Sequence, residues 1–250
     1  MYTKTEILSI AKKQLALDYN CQLSDFEKEG NIITENKLLD GRRIYESDGC
    51  FLKIITIGGR AIICADVKIR PWLEEKILKR DASWLFDFPN LRAIDNKLRE
   101  FGHEIDQMPH FYLPNPLTCE VKPLTTIKWF KKEEIIQFEG DSRFEEAFGF
   151  DDNYPDVLGV AAFDGDTIMG MAGASEDSKN LYQIGINVMP EYRGTGIGTN
   201  LVALLKQELL NSGKVPFYGT AVSHINSKNV AINAGFFPAW AEVYSRKLKD

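Results

Sequence analysis

Apolar residues recur along this chain with two periods, one helical and one alternating or continuous, and they divide it into short elements. Thr3-Lys4-Thr5-Glu6 is a capping-box pattern, and Ile7, Ala11 and Leu15 follow at helical spacing, which predicts an amphipathic first helix. The stretch CFLKIITIGGRAIICADVKI holds two β-forming runs joined by Gly58-Gly59, the dipeptide that supplies positive φ in a tight hairpin. PWLEEKILK and PNLRAIDNKLREFG each begin with a proline suited to a first helical turn; the second carries Leu91, Ile94 and Leu98 on one face and Gly102 as a stop. Four prolines then fall in PHFYLPNPLTCEVKP, a density that opposes a helix interior or a central strand. A boundary is expected there, with residues 1–123 as a mixed α/β domain and 124–250 as a second domain.

The second part has a cleaner rhythm. KKEEIIQF and SRFEEAFGF read as short helices, and DVLGVAAF and TIMGMAGA as strands joined by a turn at Asp164-Gly165-Asp166. LYQIGINV is a third strand. A helix follows with Ile197, Leu201, Leu204, Leu205 and Leu209 along one stripe, closing at Asn211-Ser212-Gly213. VPFYGTAV reads as a strand, NSKNVAIN as a short helix capped by Asn226 or Ser227, and AWAEVYSRKL as the last strand. Hairpins plus one crossover predict an α/β (α+β mixed) fold with a mixed, largely antiparallel sheet flanked by helices.

Composition changes this picture little. An apolar content of 44% with 26% charged residues describes an ordinary globular chain. The net charge of -6 argues against a nucleic-acid binder, which needs a basic stripe to replace phosphate counterions. Residues 124–250 hold 12 Lys and Arg against 17 Asp and Glu, a balance that favours cationic small molecules as partners. Cys21, Cys50, Cys64 and Cys119 form no C-x-x-C pair, and His103 and His110 are isolated, so no metal site is expected. The opening MYTKTEILSIAKKQ lacks a signal-peptide core and no apolar run approaches a membrane span, so the expectation is a cytoplasmic protein that engages no membrane.

The chemistry concentrates in PEYRGTGIGTNLVALLKQELL. Gly194, Gly196 and Gly198 follow Arg193 directly and precede a helix. A helix start exposes unpaired N–H groups and the positive end of the dipole, and bare glycines let that backbone approach an oxyanion. A phosphate or pyrophosphate is the natural guest. A Walker loop fails because no lysine follows Gly198; a Rossmann fingerprint fails because Thr199 stands where its third glycine belongs and no acidic ribose ligand lies in VPFYGTAV.

What remains is R-x-x-G-x-G between an apolar strand and a long helix. INVMPEYRGTGIGTNLV resembles the acetyl-CoA signature of the GCN5-related N-acetyltransferases (GNAT), and NSKNVAINAGFFPAW is similar to the family's closing motif, a short helix ending in Gly-Phe. Residues 124–250 follow the family's order of elements, and the whole chain is similar to bacterial two-domain members. The resemblance implies a GNAT fold in which Arg193, Gly194, Thr195, Gly196, Ile197, Gly198 and Thr199 hold the CoA pyrophosphate. It further implies that Ile186, Asn187 and Val188 pair with the pantetheine arm, with Asn226 and Asn229 as additional cofactor contacts. Gly185, mid-strand, suits either a bulge or close backbone approach, or crowding against a neighbouring helix.

The resemblance does not supply the acid and base. Where some members carry a glutamate on the third strand this chain has Tyr182 and Gln183, and where many carry a tyrosine four positions before Gly-Phe it has Ala231. An alkylammonium needs a base or a water relay before it can attack, so substitutes are sought. Glu176, beside Asp177 at the end of a strand, and His224, after VPFYGTAV, are candidates for handling the amine's proton; Tyr218 and Tyr244 are candidates for protonating sulfur. The expected activity is transfer of acetyl from acetyl-CoA to a primary amine of a small molecule, with residues 1–123 covering the acceptor side. Peptide or protein N-acetylation and a non-catalytic CoA-binding regulator are the rival readings.

Overall fold

The computed structural model describes residues 2–249. In chain order the elements are α1 (Lys4–Asp18), β1 (Ile32–Glu35), β2 (Leu52–Ile57), β3 (Arg60–Ala65), α2 (Arg70–Lys76), α3 (Phe88–Arg99), β4 (His103–Gln107), β5 (Pro109–Pro114), β6 (Thr126–Lys131) and α4 (Lys132–Ile135). After these come β7 (Asp156–Asp164), β8 (Thr167–Glu176), β9 (Leu181–Val188), α5 (Ile197–Asn211), β10 (Val215–Ala221), α6 (Ile225–Asn233) and β11 (Phe236–Lys247). The chain forms two units. One comprises Met1–Ala11 and Tyr112–Pro238, the glycine-loop unit; the other comprises Lys12–Phe111 and Ala239–Asp250, the hairpin unit. Whereas the sequence places a single boundary at 123/124, the observed division falls inside α1, β5 and β11.

In the hairpin unit, β2 and β3 pair antiparallel from Leu52↔Ala65 to Ile57↔Arg60, and Gly58 and Gly59 take φ of 59° and 78° at the turn, as the dipeptide predicts. β1 joins β3 in parallel, and β11 pairs antiparallel with β2 and with β4. Ile54, Ile63, Leu73, Ile77, Ile94 and Leu98 are buried together, so α2 and α3 lay their apolar faces on this sheet. Residues 241–244 pair with a strand nearly two hundred residues upstream, a relation no local pattern reveals.

In the glycine-loop unit the strand order is β11–β5–β10–β9–β8–β7–β6. β6 to β9 pair antiparallel in sequence, and β10 lies parallel to β9, returned by the crossover helix α5. The mixed sheet flanked by helices is the expected fold class. Along β7 and β8 the side chains alternate between two cores: Val160, Ala162, Ala172 and Ala174 pack with Leu201, Val202, Leu205 and Leu209 of α5, while Ala161 and Met171 pack with Phe138, Phe144 and Phe148 on the other face.

Three local readings are corrected. Pro109–Pro114 is a strand, and it lies between β10 and β11. Its two prolines stand at the ends, so Phe111, Tyr112 and Leu113 keep their N–H groups and are buried. SRFEEAFGF makes only a short 3-10 turn at Ser142–Phe144 and then runs irregularly across the sheet. α6 starts earlier than predicted, with His224 at its N-cap, so Asn226 and Ser227 lie inside the helix and cap nothing.

The irregular run is possible because of a stripe of glycines. Gly159, Gly173 and Gly185 are paired in register across β7, β8 and β9. A Cβ on Gly173 would lie 2.0 Å from the Ala147 carbonyl oxygen, and one on Gly185 would lie 1.8 Å from that of Glu146. The sheet is bare where backbone lies on it. Gly185→Ala is therefore expected to cost about 3 kcal/mol, read as a lower urea midpoint, because the obstruction is main chain and cannot rotate away. Gly149→Ala, where a Cβ meets nothing within 4 Å, is the control and should cost well under 1 kcal/mol.

Candidate active site

β9 and β10 pair only from Leu181↔Val215 to Ile184↔Tyr218. Beyond that point β9 runs on to Val188 and β10 to Ala221, while β9 stays paired with β8 on its other edge as far as Val188. The sheet is split from Gly185 onward, and about 13 Å of strand edge, four residues at roughly 3.3 Å each, faces no strand. Ile186, Asn187 and Val188 lie along this edge.

The glycine loop follows at once. Gly194 and Gly196 take φ of 77° and 88°, the left-handed region that glycine enters without strain. Gly196 is the N-cap of α5, and no side chain caps this fifteen-residue helix. Asp81 and Asp141, by contrast, cap the short turns that follow them. The first-turn N–H groups of α5 thus have no side-chain cap, at the end of the helix where the dipole is positive. Arg193 is exposed beside them, its Nε donating to the Val188 carbonyl at 3.1 Å, and the Thr195 hydroxyl donates to the Tyr192 carbonyl at 2.6 Å. Gly198 serves packing instead, since a Cβ there would lie 3.0 Å from Val188 Cγ2 and 3.7 Å from Ile186 Cγ1, and its bareness lets α5 press against β9. Thr199, half-buried, completes the turn.

Asn187 plays a part the sequence did not show. Its Oδ1 accepts from the N–H groups of Glu146 at 3.0 Å and Ala147 at 2.8 Å, pinning residues 146–147 to the sheet. Gly185 is bare for the same segment: a Cβ there would meet the main chain of residues 146–147, which is a close backbone approach and not the neighbouring helix expected as the alternative.

Tyr218 occupies the last paired position before the split and is buried. Its hydroxyl shares a hydrogen bond with that of Ser227 on α6 at 2.9 Å. Burial pushes the Tyr218 pKa up; Ser227 pulls it back and the Glu146 carboxylate adds to the rise. Ala231, one turn beyond Ser227, is wholly buried in the core and offers no chemistry. Lys206, itself buried, donates from Nζ to the Ala234 carbonyl at 2.6 Å and so holds the C-terminus of α6 ahead of Gly235-Phe236.

The other candidates are dispersed. Glu176 is in register with Tyr182, three residues along β9 from Gly185, at the paired end of the β9–β10 ladder. There burial raises the Tyr182 pKa, with Lys214 lowering it and Glu176 raising it. His224 is exposed at the N-cap of α6, and Asn226 and Asn229 are exposed in its first turns. Tyr244 belongs to the hairpin unit, where its ring centroid lies 5.1 Å from that of Tyr45. Among the described residues no group of three or more His, Cys, Asp or Glu is arranged to hold a metal, and no helix is long and apolar enough to cross a membrane.

Comparison with known proteins bears on this arrangement. Residues 122–236 match the model of the acetyltransferase (GNAT) family. No curated protein matches the chain. Among solved structures, a GCN5-related N-acetyltransferase-like protein from Streptococcus suis 89/1591 is 15% identical with a TM-score of 0.47, covering 97% of this chain and 99% of its own. A GCN5-related N-acetyltransferase from Sphaerobacter thermophilus is 13% identical with a TM-score of 0.45, covering 79% and 77%. An aminoglycoside N-acetyltransferase in complex with CoA is 21% identical with a TM-score of 0.35, covering 46% and 92%. Three further matches cover between 57% and 69% of their own chains. The glycine loop, the split sheet and the family match fall on one stretch, and residues 122–236 form a domain that matches the GNAT acetyltransferases, a family that carries out acetyl-CoA-dependent acetylation.

Proposed function

We propose that this protein transfers the acetyl group of acetyl-CoA to a primary amine of a small, cationic molecule. The observation that carries the reading is the junction of two features: the N-terminus of α5, which no side chain caps, and the strand edge 185–188, which faces no strand and leads up to it. The first suits a pyrophosphate and the second an extended amide-bearing arm, and both belong to the molecule that donates acetyl. At the head of the split a backbone N–H of β9 would stabilise the carbonyl oxygen as it gains negative charge. We assign protonation of the departing sulfur to Tyr218 in lieu of a residue at Ala231, a role supported by its burial beside the split and its hydrogen bond with Ser227. The acidic balance of residues 124–250 supports a cationic acceptor. We assign acceptor selection to residues 1–123, which lie almost wholly outside the family match, and the free state of all four cysteines supports a reducing, cytoplasmic setting.

Calorimetry with acetyl-CoA and CoA tests the first half of this reading, and thiol release across polyamines, aminoglycosides, amino acids and peptides tests the second. Binding of both nucleotides, with release stimulated by small polycations, is expected. Absence of any association with either nucleotide would overturn the reading, and stimulation by peptides alone would replace its acceptor.

A further inference from the structure

We propose that Glu146 is the residue that receives the acceptor's ammonium group and takes its proton, on the face of the sheet opposite Tyr218. This rests on the acetyl-transfer reading above and adds to it the base that neither Tyr182 nor Gln183 supplies.

The side chains of β9 alternate across the sheet. Ile186 and Val188 approach α5 at Gly198, whereas Gly185 and Asn187 meet residues 146–147. Tyr218 and Ser227 lie on the α5–α6 side, where Tyr218 is part of the core that α5 covers. The glycine loop at the start of α5 and the sulfur's proton donor are therefore on one face, and Glu146 is on the other. Elsewhere the sheet is a continuous hydrogen-bonded wall, but from Gly185 onward β9 and β10 are unpaired, and Glu146 lies directly over Gly185. A thioester lying in that gap is reached by an amine from the Glu146 face while its sulfur remains on the Tyr218 face.

Glu146 is fixed by its main chain and free at its side chain. Its N–H is held by Asn187 Oδ1 at 3.0 Å and its carbonyl rests on the bare Gly185, yet the residue is exposed. The Tyr218 pKa is raised first by burial and further by the Glu146 carboxylate, in keeping with the place of the Glu146 main chain over Gly185. An anchored backbone with an exposed carboxylate suits a group that must meet an incoming cation and then return a proton to water.

The proton balance closes without another reactant. The ammonium gives one proton to Glu146, directly or through one water, and Glu146 passes it to solvent. The nitrogen lone pair forms the C–N bond at the acetyl carbonyl carbon, and the C–S bond breaks with its electron pair staying on sulfur. Sulfur takes the Tyr218 proton. A second nitrogen proton passes through solvent and the Ser227 hydroxyl to restore Tyr218, leaving the neutral amide, the thiol and one proton released.

The test compares wild type with Glu146→Gln, Glu146→Asp and, as a neighbouring control, Glu145→Gln. Thiol release from acetyl-CoA is measured with propylamine, 1,3-diaminopropane and spermidine, and with water as acceptor where no amine is taken. Because the anchoring bonds of Glu146 are main-chain, Glu146→Gln should fold and bind CoA as wild type does in calorimetry. Its kcat/KM should fall about a hundredfold, within the range of lost general-base catalysis, with partial recovery in Glu146→Asp and no change in Glu145→Gln. Rates for Glu146→Gln within twofold of wild type, with CoA binding intact, would overturn the assignment. Failure of wild type itself to bind CoA would instead strike the reading on which the assignment stands.

Discussion

Gly196→Val is expected to weaken acetyl-CoA binding at least a hundredfold while lowering thermal stability by only a few degrees. Gly196 is the N-cap of α5 at φ 88° and ψ -6°, where an L-residue is strained and a β-branched one most of all. Space is not the obstacle, since the nearest atom to an added Cβ is Leu124 Cδ1 at 3.7 Å. Valine would instead be relieved by rotating the backbone out of the left-handed region, and that rotation turns away the amides that open the helix. A ligand held by several convergent N–H groups loses them together, so about 3 kcal/mol of binding should go, which is a hundredfold in Kd. Gly165→Val gives the comparison: it imposes the same kind of strain at φ 57°, in the β7–β8 turn where a Cβ meets nothing within 4 Å. Titration calorimetry should find Gly165→Val less stable but undiminished in affinity. Equal affinities for wild type and Gly196→Val would mean that the loop amides do not hold the nucleotide.

The loop was legible in the sequence because its chemistry is local. An arginine, alternating glycines and a helix stripe occupy one short segment, and the unpaired N–H groups of a helix start need no distant residue to be predicted. The β2–β3 and β7–β8 hairpins were legible for the same reason, each being set by a turn dipeptide and two flanking runs. The base was not. Glu146 reaches the split because three glycines on three strands fall into register, a property of the assembled sheet, whereas SRFEEAFGF alone reads as a helix. Glu176 looked equally apt until register put it at the paired end of the ladder. Pro109 and Pro114 read as breakers of a strand they in fact bracket, since β5 pairs only with segments that follow it by about a hundred residues or more. The burial of Asp18, Arg43 and Glu242 is set by partners far apart in the chain, and no local pattern in the sequence marks it.

Those three residues are where the hairpin unit is most vulnerable: Arg43→Met is expected to destabilise it by about 4 kcal/mol. Asp18 and Glu242 are wholly buried and the Arg43 side chain is 4% exposed. The guanidinium donates from Nε to Asp18 Oδ2 at 2.7 Å and from Nη2 to Glu242 Oε1 at 2.9 Å, and the Arg43 N–H reaches Asp18 Oδ1 at 2.7 Å. Gln14 and Trp240 donate to the same carboxylates, from Nε2 to Asp18 Oδ1 at 2.9 Å and from Nε1 to Glu242 Oε1 at 2.8 Å. Methionine fills much of the arginine's volume and leaves two anions away from water with only neutral donors, so the loss is electrostatic more than steric. Adding Asp18→Asn and Glu242→Gln removes the stranded charges and should restore much of the stability, which a loss of packing alone would not allow. Urea unfolding followed by circular dichroism reads both steps: a large fall in midpoint for Arg43→Met and a partial return in the triple variant are expected. A triple variant no more stable than Arg43→Met would show that the guanidinium acts here by filling space.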